Sequence, residues 1–186
     1  MRPSSLAVIG LGAIGGSLAW QSRLAGIARV VGYSPSRAEG VAALKAGAIS
    51  EIADSPAKAM RSAELVVLAV PPAPTLDLIG RLARSLEPGA ILTDVCSVKA
   101  SVMARAADCG IGDRFAGAHP LAGTHVSGFD GARPDRLRGC VVYVCESDCD
   151  GGPRAARGVM RFWEEVLEAH PILIGAAAHD RQLAWT

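Results

Sequence analysis

The stretch LAVIGLGAIGGSLAWQSRLAG, residues 6–26, decides the fold class of this chain. It runs from a short apolar segment through a glycine-rich turn into a segment with helical periodicity. A strand, a G-x-G-x-x-G turn and a helix in this order are typical of a dinucleotide-binding unit, since the glycines permit a tight turn, close approach of a pyrophosphate and close helix packing. The helix N-terminus then offers free N–H groups to the phosphates. We therefore predict a cofactor site that includes Gly10, Gly12, Ala13, Ile14 and Gly15.

Apolar runs of strand length recur along the chain and alternate with longer segments of helical period. Such alternation predicts an α/β fold of the Rossmann type, with a doubly wound and mostly parallel sheet. Helices are predicted at 36–47, 75–89 and 153–170, and another begins at 176. The predicted strands are 6–9, 30–33, 65–70, 91–95, 115–118, 141–145 and 172–174.

Composition limits the classes of partner. The chain has 186 residues, of which 50% are hydrophobic and 20% charged, with a formal net charge of +1. This is enough for about one domain with a sizeable core, and it leaves no basic footprint for nucleic acid or an anionic membrane. The five cysteines form no CxxC pair, which indicates reduced thiols, a cytoplasmic protein and no metal site. We expect a small-molecule partner, no nucleic acid and no membrane.

The end of the second predicted strand indicates which dinucleotide binds. NAD-binding proteins usually carry an acidic residue about 20 positions beyond the motif, for the ribose hydroxyl. Here Ser34 stands at that place, with Arg37 three residues further on. A serine and an arginine suit a 2′-phosphate, so NADP is slightly favoured over NAD as the cofactor, NAD(P). The alternative is that Arg37 is merely solvated and NAD is also accepted.

Side chains that follow the carboxyl ends of the strands are the candidates for chemistry, because ligands of open α/β sheets bind there. Three segments qualify: VPPAPT with Val70 and Pro71, DVCSVK at 94–99, and HPLAG at 119–123. His119 can accept a proton from a substrate alcohol as hydride leaves, and Ser97 can orient that imidazole or the alcohol.

The segments VIGLGAIGGSLA, DVCSVK, GAHPLAG and AAAHD, in this order, resemble the nucleotide-binding domain of prephenate dehydrogenases, arogenate dehydrogenases included. The resemblance extends over essentially the whole chain. It implies oxidative decarboxylation of prephenate to 4-hydroxyphenylpyruvate in tyrosine biosynthesis, or the matching oxidation of arogenate. It also implies that His119 is the catalytic histidine that hydrogen-bonds the C4 hydroxyl, that Ser97 is its partner, and that the full-length protein is a homodimer.

Four further residues are predicted in the vicinity of the substrate: Lys99, Gly123, Thr124 and His125. Prephenate-using relatives often carry a glutamate where His125 stands, so His125 either lines the mouth of the site or is an exposed loop residue. Lys99 either lends positive potential to the site or is solvated at the start of a helix. Asp94 is expected to shape its loop by hydrogen-bonding the following turn.

The C-terminal segment resembles the start of a family segment that continues into a Ser-His-Leu-Pro signature. We expect a Rossmann domain at 1–175 and the beginning of a helical dimerisation and substrate domain at 176–186, with the remainder absent from this chain. On that expectation the chain binds a dinucleotide but turns over little substrate. The rival functions are a non-catalytic dinucleotide-sensing module and a different oxidoreductase with the same cofactor fold.

Overall fold

The computed structural model describes residues 2–123 and 125–184. They form a central sheet with helices on both faces. The strands are β1 Ser5–Ile9, β2 Arg29–Tyr33, β3 Glu51–Ile52, β4 Leu65–Leu68, β5 Ile91–Asp94, β6 Phe115–Pro120, β7 Val141–Cys145 and β8 His170–Leu173. The helices are α1 Ala13–Leu24, α2 Arg37–Lys45, α3 Pro56–Ala59, α4 Pro72–Leu82, α5 Ala100–Asp108, α6 Gly152–Glu165 and α7 Ala176–Leu183.

The strands lie in the order β3-β2-β1-β4-β5-β6-β7-β8. Strands β1 to β6 pair in parallel, β7 runs antiparallel to β6, and β8 is parallel to β7. The first six strands therefore have the dinucleotide-binding order 3-2-1-4-5-6, which reverses between β1 and β4. This confirms the predicted fold class, and the reversal point is where a cofactor is expected to bind.

Two apolar cores lie on opposite faces of the sheet. Alternate residues of β1 enter different cores, with Leu6 and Val8 in one and Ala7 and Ile9 in the other. Helices α1 and α6 cover the first core, while α3, α4 and α5 cover the second. Because both faces are buried, the central strands are apolar without alternation, as the sequence indicates for β4.

Several boundaries differ from the sequence prediction for identifiable reasons. Helix α6 ends at Glu165 and β8 begins at His170, so the predicted helix is too long. Glu168 has a left-handed backbone (φ 51°), and its carbonyl accepts the Gly139 amide, which turns the chain into the last strand. Two short elements, β3 and α3, were not predicted, since two and four residues carry too little pattern.

None of the described helices is long and apolar enough to cross a membrane.

Candidate active site

The phosphate turn has the geometry that its glycines predict. Gly10 adopts φ +101°, and a Cβ at that position would overlap the Ala69 carbonyl. A Cβ at Gly15 would overlap the Gly10 carbonyl oxygen. At Gly12, by contrast, no described atom outside its immediate chain neighbours lies within 4 Å of a Cβ placed at that position. Gly10 and Gly15 are thus required by the turn itself, whereas Gly12 leaves open space at the N-terminus of α1, as a site for a pyrophosphate requires.

A cleft opens from this turn across the carboxyl ends of β4, β5 and β6. Its volume is about 490 Å³. The predicted Val70, Pro71, Ser97, His119 and Gly123 all line it. The other lining residues are Gly12, Ala13, Ile14, Ala69, Pro72, Val95, Cys96, Pro120, Leu121, Ala122 and Val126. The cleft therefore joins the phosphate turn to the candidate catalytic residues in one continuous space, which is the shape that a dinucleotide and a small substrate need.

His119 lies near the end of β6 and is half-buried. Its Nδ1 is 3.0 Å from Nε2 of His179, a buried residue of α7. The Nδ1 atom of His179 is in turn 2.8 Å from Oδ1 of Asp180. Because Nδ1 of His119 is engaged in this way, Nε2 is the ring nitrogen left for a substrate in the cleft.

The partner of His119 therefore differs from the prediction. Among the described residues no hydrogen bond joins Ser97 to His119, although both line the cleft. Ser97 is exposed in the loop after β5, whereas His179 reaches the imidazole from α7, 60 residues along the chain. His179 and Asp180 belong to the AAAHD segment of the family resemblance, but the sequence predicts no role for them.

Burial and neighbouring charges lower the pKa of His119 to about 4. Removal from water is the largest cause, followed by His179 and Lys99, while Asp94 and Asp180 act in the opposite direction. The imidazole is consequently neutral near pH 7, which is the form that can accept a proton.

Asp180 is held as a carboxylate. Burial by itself raises its pKa, but the amides of Ala100 and Lys99 and the ring of His179 donate hydrogen bonds that outweigh burial, so the pKa is lowered. The two amides form the N-terminus of α5, where the helix dipole also favours a negative charge. Asp180 thus ties α7 to the start of α5, directly behind His119.

Lys99 is neither solvated nor a direct part of the cleft wall. Its side chain is fully buried, and its ammonium pairs with Asp94 and donates to the Ala118 carbonyl at 2.8 Å. The alternative that Lys99 is solvated is therefore wrong. Its ammonium group lies in the protein interior, and its positive charge acts on His119 from there. Asp94 also accepts the Cys96 amide at 2.8 Å, which confirms that it shapes its loop. The pair fixes the loop after β5 against β6.

The remaining predicted residues fall in different places. His125 is exposed, in agreement with the second of its two alternatives. Thr124 lies outside the described residues. Arg37 is exposed at the first position of α2, and the Ser34 hydroxyl donates a hydrogen bond of 2.5 Å to Glu39. Glu39, which the sequence analysis did not consider, therefore places a carboxylate beside the predicted ribose position.

Comparison with known proteins shows the family of this chain. Residues 18–172 match the model of the family described as "Prephenate dehydrogenase, nucleotide-binding domain". The chain belongs to this family. The prephenate dehydrogenase of Bacillus subtilis is 38% identical over 133 residues, which are 69% of this chain and 36% of that protein.

Two solved structures are similar over nearly the whole chain. Prephenate dehydrogenase from Aquifex aeolicus, in complex with hydroxyphenyl propionate and NAD+, has a TM-score of 0.86 and 28% identity, over 95% of this chain and 61% of that one. Synechocystis arogenate dehydrogenase has a TM-score of 0.86 and 29% identity, over 97% of this chain and 63% of that one. The chain thus spans between about a third and two thirds of the length of these family members, as a nucleotide-binding domain of a dehydrogenase.

Proposed function

We propose that this chain supplies the cofactor site and the catalytic base of an NAD(P)-dependent dehydrogenase that oxidises prephenate to 4-hydroxyphenylpyruvate, with arogenate as the alternative substrate. The observation that carries the proposal is the position of His119. It lines the same cleft as the phosphate turn, and its Nδ1 is engaged by His179. A dinucleotide-sensing module would not need a proton acceptor at this place, so the arrangement favours an enzyme.

The residues of the cleft have separate roles in this reaction. A bound nicotinamide supplies the hydride acceptor. Nε2 of His119 accepts the proton of the C4 hydroxyl while the hydrogen on C4 leaves as hydride, so that C4 becomes a carbonyl carbon. The bond to the ring carboxylate then breaks and carbon dioxide leaves. The electron pair of that bond makes the ring aromatic, and the C4 oxygen takes back the proton held by His119 to give the phenol. Ser97 is exposed and lines the cleft, which supports the proposal that its hydroxyl hydrogen-bonds the substrate oxygen.

The residues after β2 bear on the choice between NAD and NADP. An acidic group at this position accepts the ribose hydroxyls and repels a 2′-phosphate. Glu39 is half-buried and accepts the Ser34 hydroxyl, so its carboxylate lies beside the place where a 2′-phosphate would be recognised. The proposal is therefore NAD, which departs from the preference for NADP based on Ser34 and Arg37.

Helix α7 is proposed to begin a second, helical domain that holds the carboxylate groups of the substrate and forms the homodimer that the resemblance implies. The division at 175/176 and the dimer remain predictions. The cleft of this chain presents few polar side chains among its described lining residues, Ser97 and His119 being the two, so the anchor for the substrate carboxylates is expected elsewhere.

The test is made in two stages. Calorimetric titration of the chain with NAD and with NADP measures cofactor binding, and the absorbance of reduced cofactor measures oxidation of prephenate and arogenate by a protein that also carries the helical domain. His119→Asn is expected to lower kcat by about 10²–10⁴-fold and to leave the cofactor Kd unchanged. Cofactor binding without oxidation of either substrate by the longer protein would favour the sensing module.

A further inference from the structure

The hydrogen bonds behind His119 constrain the protonation of three side chains at once. We call His119, His179 and Asp180 the imidazole chain. Asp180 is a carboxylate that accepts two backbone amides, so at Oδ1 it can only accept a further hydrogen bond from His179. Nδ1 of His179 must then carry the proton, since the neutral ring has one donor and one acceptor nitrogen.

The same reasoning extends to the next ring. If Nδ1 of His179 carries its proton, Nε2 of His179 holds a lone pair and accepts from Nδ1 of His119, across 3.0 Å. Nε2 of His119 is then unprotonated. That is the tautomer that a general base at the cleft needs, whereas a free imidazole in water distributes its proton over both nitrogens.

We infer that His179 and Asp180 are positioning residues, which hold His119 in the tautomer whose Nε2 can accept a substrate proton. This inference rests on the proposed function for its catalytic meaning. The tautomer itself can be measured without turnover, because it exists in the protein in the absence of substrate.

Among the described residues, the ring of His179 hydrogen-bonds His119 and Asp180 and no other group. His179 is fully buried, and it contacts Tyr143 of β7 edge-on, with ring centroids 5.6 Å apart. The Tyr143 hydroxyl accepts a hydrogen bond from Gln182. His119 and His179 are themselves edge-to-face at 5.2 Å. The ring of His179 is therefore fixed by packing as well as by hydrogen bonds, as a residue that orients another must be.

When His119 accepts a proton, the carboxylate of Asp180 favours the resulting charge, while burial and His179 oppose it. The imidazolium gains its proton at Nε2 and keeps the one at Nδ1, which still points at the lone pair of His179. The negative charge of Asp180 lies one ring further away. This is the arrangement by which an aspartate orients and stabilises the histidine of a Ser-His-Asp triad, with a second imidazole inserted between them.

The test measures tautomers directly. Long-range proton–nitrogen correlation spectra of the four histidine rings distinguish protonated from unprotonated ring nitrogens in the chain near pH 7. We expect His119 to be protonated at Nδ1 only in the wild type, and to become a mixture of tautomers in His179→Leu. His179→Gln keeps an acceptor for Nδ1 of His119, so it is expected to restore the single tautomer.

Two controls separate this inference from loss of structure and from the proposed function. His170→Gln removes an exposed histidine of β8 and should change neither the tautomer of His119 nor the melting temperature. If His119 is protonated at Nε2 in the wild type, or keeps its tautomer in His179→Leu with a native fold, the inference is overturned. A longer protein that binds no NAD and oxidises no substrate would overturn the proposed function and leave the tautomer result intact.

In that longer protein the positioning role has a kinetic signature. His179→Leu should lower kcat by about 10²-fold or more without changing the Kd of the cofactor, and His179→Gln should recover much of the loss. Equal rates in the leucine and glutamine variants, with the fold intact, would contradict a role through the acceptor nitrogen.

Discussion

At the scale of single residues, the buried pair of Lys99 and Asp94 shows how little a charge in a sequence reveals about its environment. Both side chains are fully buried, and each has additional hydrogen bonds to the backbone of a neighbouring strand or loop. A buried ion pair contributes modestly when complete, but removal of one partner leaves an uncompensated charge in a low dielectric. The main effect of the pair is therefore to hold the loop after β5 against β6.

Lys99→Met is expected to lower the free energy of unfolding by about 3–5 kcal/mol, since it leaves the Asp94 carboxylate buried without its cation. Urea denaturation measures the loss. Lys58→Met is the matched control, because the Lys58–Asp54 pair is exposed and its loss should change stability far less than loss of the buried pair. Equal effects at the two lysines would show that burial of Lys99 has no energetic consequence.

The carboxylate of Glu39 is expected to influence the choice between NAD and NADP. Glu39→Gln removes the negative charge beside Ser34, so the preference for NAD over NADP, measured as a ratio of Kd values, should fall about tenfold. Glu164→Gln, at an exposed position of α6, changes the net charge equally and should leave the ratio unchanged. An unaltered ratio in Glu39→Gln would remove the argument for NAD.

At the scale of elements, the β1–α1 turn separates glycines that the fold needs from a glycine that only a ligand needs. Gly15→Ala places a methyl group on the Gly10 carbonyl and is expected to cost about 1–3 kcal/mol of stability. Gly12→Ala meets open space at an ordinary backbone φ of −69°, so the free energy of unfolding should change by less than about 1 kcal/mol.

We expect Gly12→Ala, which has little effect on stability, to have a large effect on cofactor affinity. In Gly12→Ala the methyl group occupies the space proposed for the pyrophosphate, so calorimetry should show a large loss of NAD affinity in a protein that melts like the wild type. Undiminished binding in Gly12→Ala would place the dinucleotide elsewhere.

Helix α7 illustrates how an element acquires a role that its own sequence does not reveal. Its eight residues pack on α5, cap the N-terminus of α5 through Asp180 and bring His179 to His119. The helix therefore connects the edge strand β8, which it follows in the chain, to the cleft at β6 through the His179–His119 contact.

At the scale of the whole molecule, His119 links stability to pH. Its pKa is about 4 in the folded chain and near 6.5 when unfolded, so the unfolded state binds more protons between these values. The contribution is fully present above pH 6.5 and is lost progressively as the pH falls towards 4. The slope cannot exceed about 1.4 kcal/mol per pH unit, the limit for one proton.

Unfolding in urea at several pH values between about 6.5 and 4.5 tests this linkage, in the wild type and in His119→Gln. The wild type should lose more stability on acidification than the variant. Most of this window lies above the region where Glu64 and Asp180 act, because their pKa values are lowered from 4.5 and 3.8, and their effects are common to both proteins. Parallel pH profiles in the two proteins would contradict the lowered pKa of His119.

Local patterns were sufficient for much of this molecule. The G-x-G-x-x-G turn, the apolar strands and the position of His119 near the end of β6 are all properties of short segments, so the Rossmann fold and the place of the cleft could be predicted from them. The family followed from the order of four short motifs. The end of α6 was predicted four or more residues too late, because a left-handed glutamate at 168 is not a recognised helix stop.

The sequence by itself therefore determined the class of fold, the phosphate turn and the identity of the histidine at the cleft, because each depends on residues close together in the chain. Tertiary structure alone decided the partners: His179 for His119, Lys99 for Asp94, and Glu39 for Ser34. His119 and His179 are 60 residues apart in the chain and meet only in the folded protein. The other two pairs join residues five apart, and they form because the fold fixes the direction of the turn between a strand end and a helix start. A single sequence does not show which residues will be close together in the folded protein.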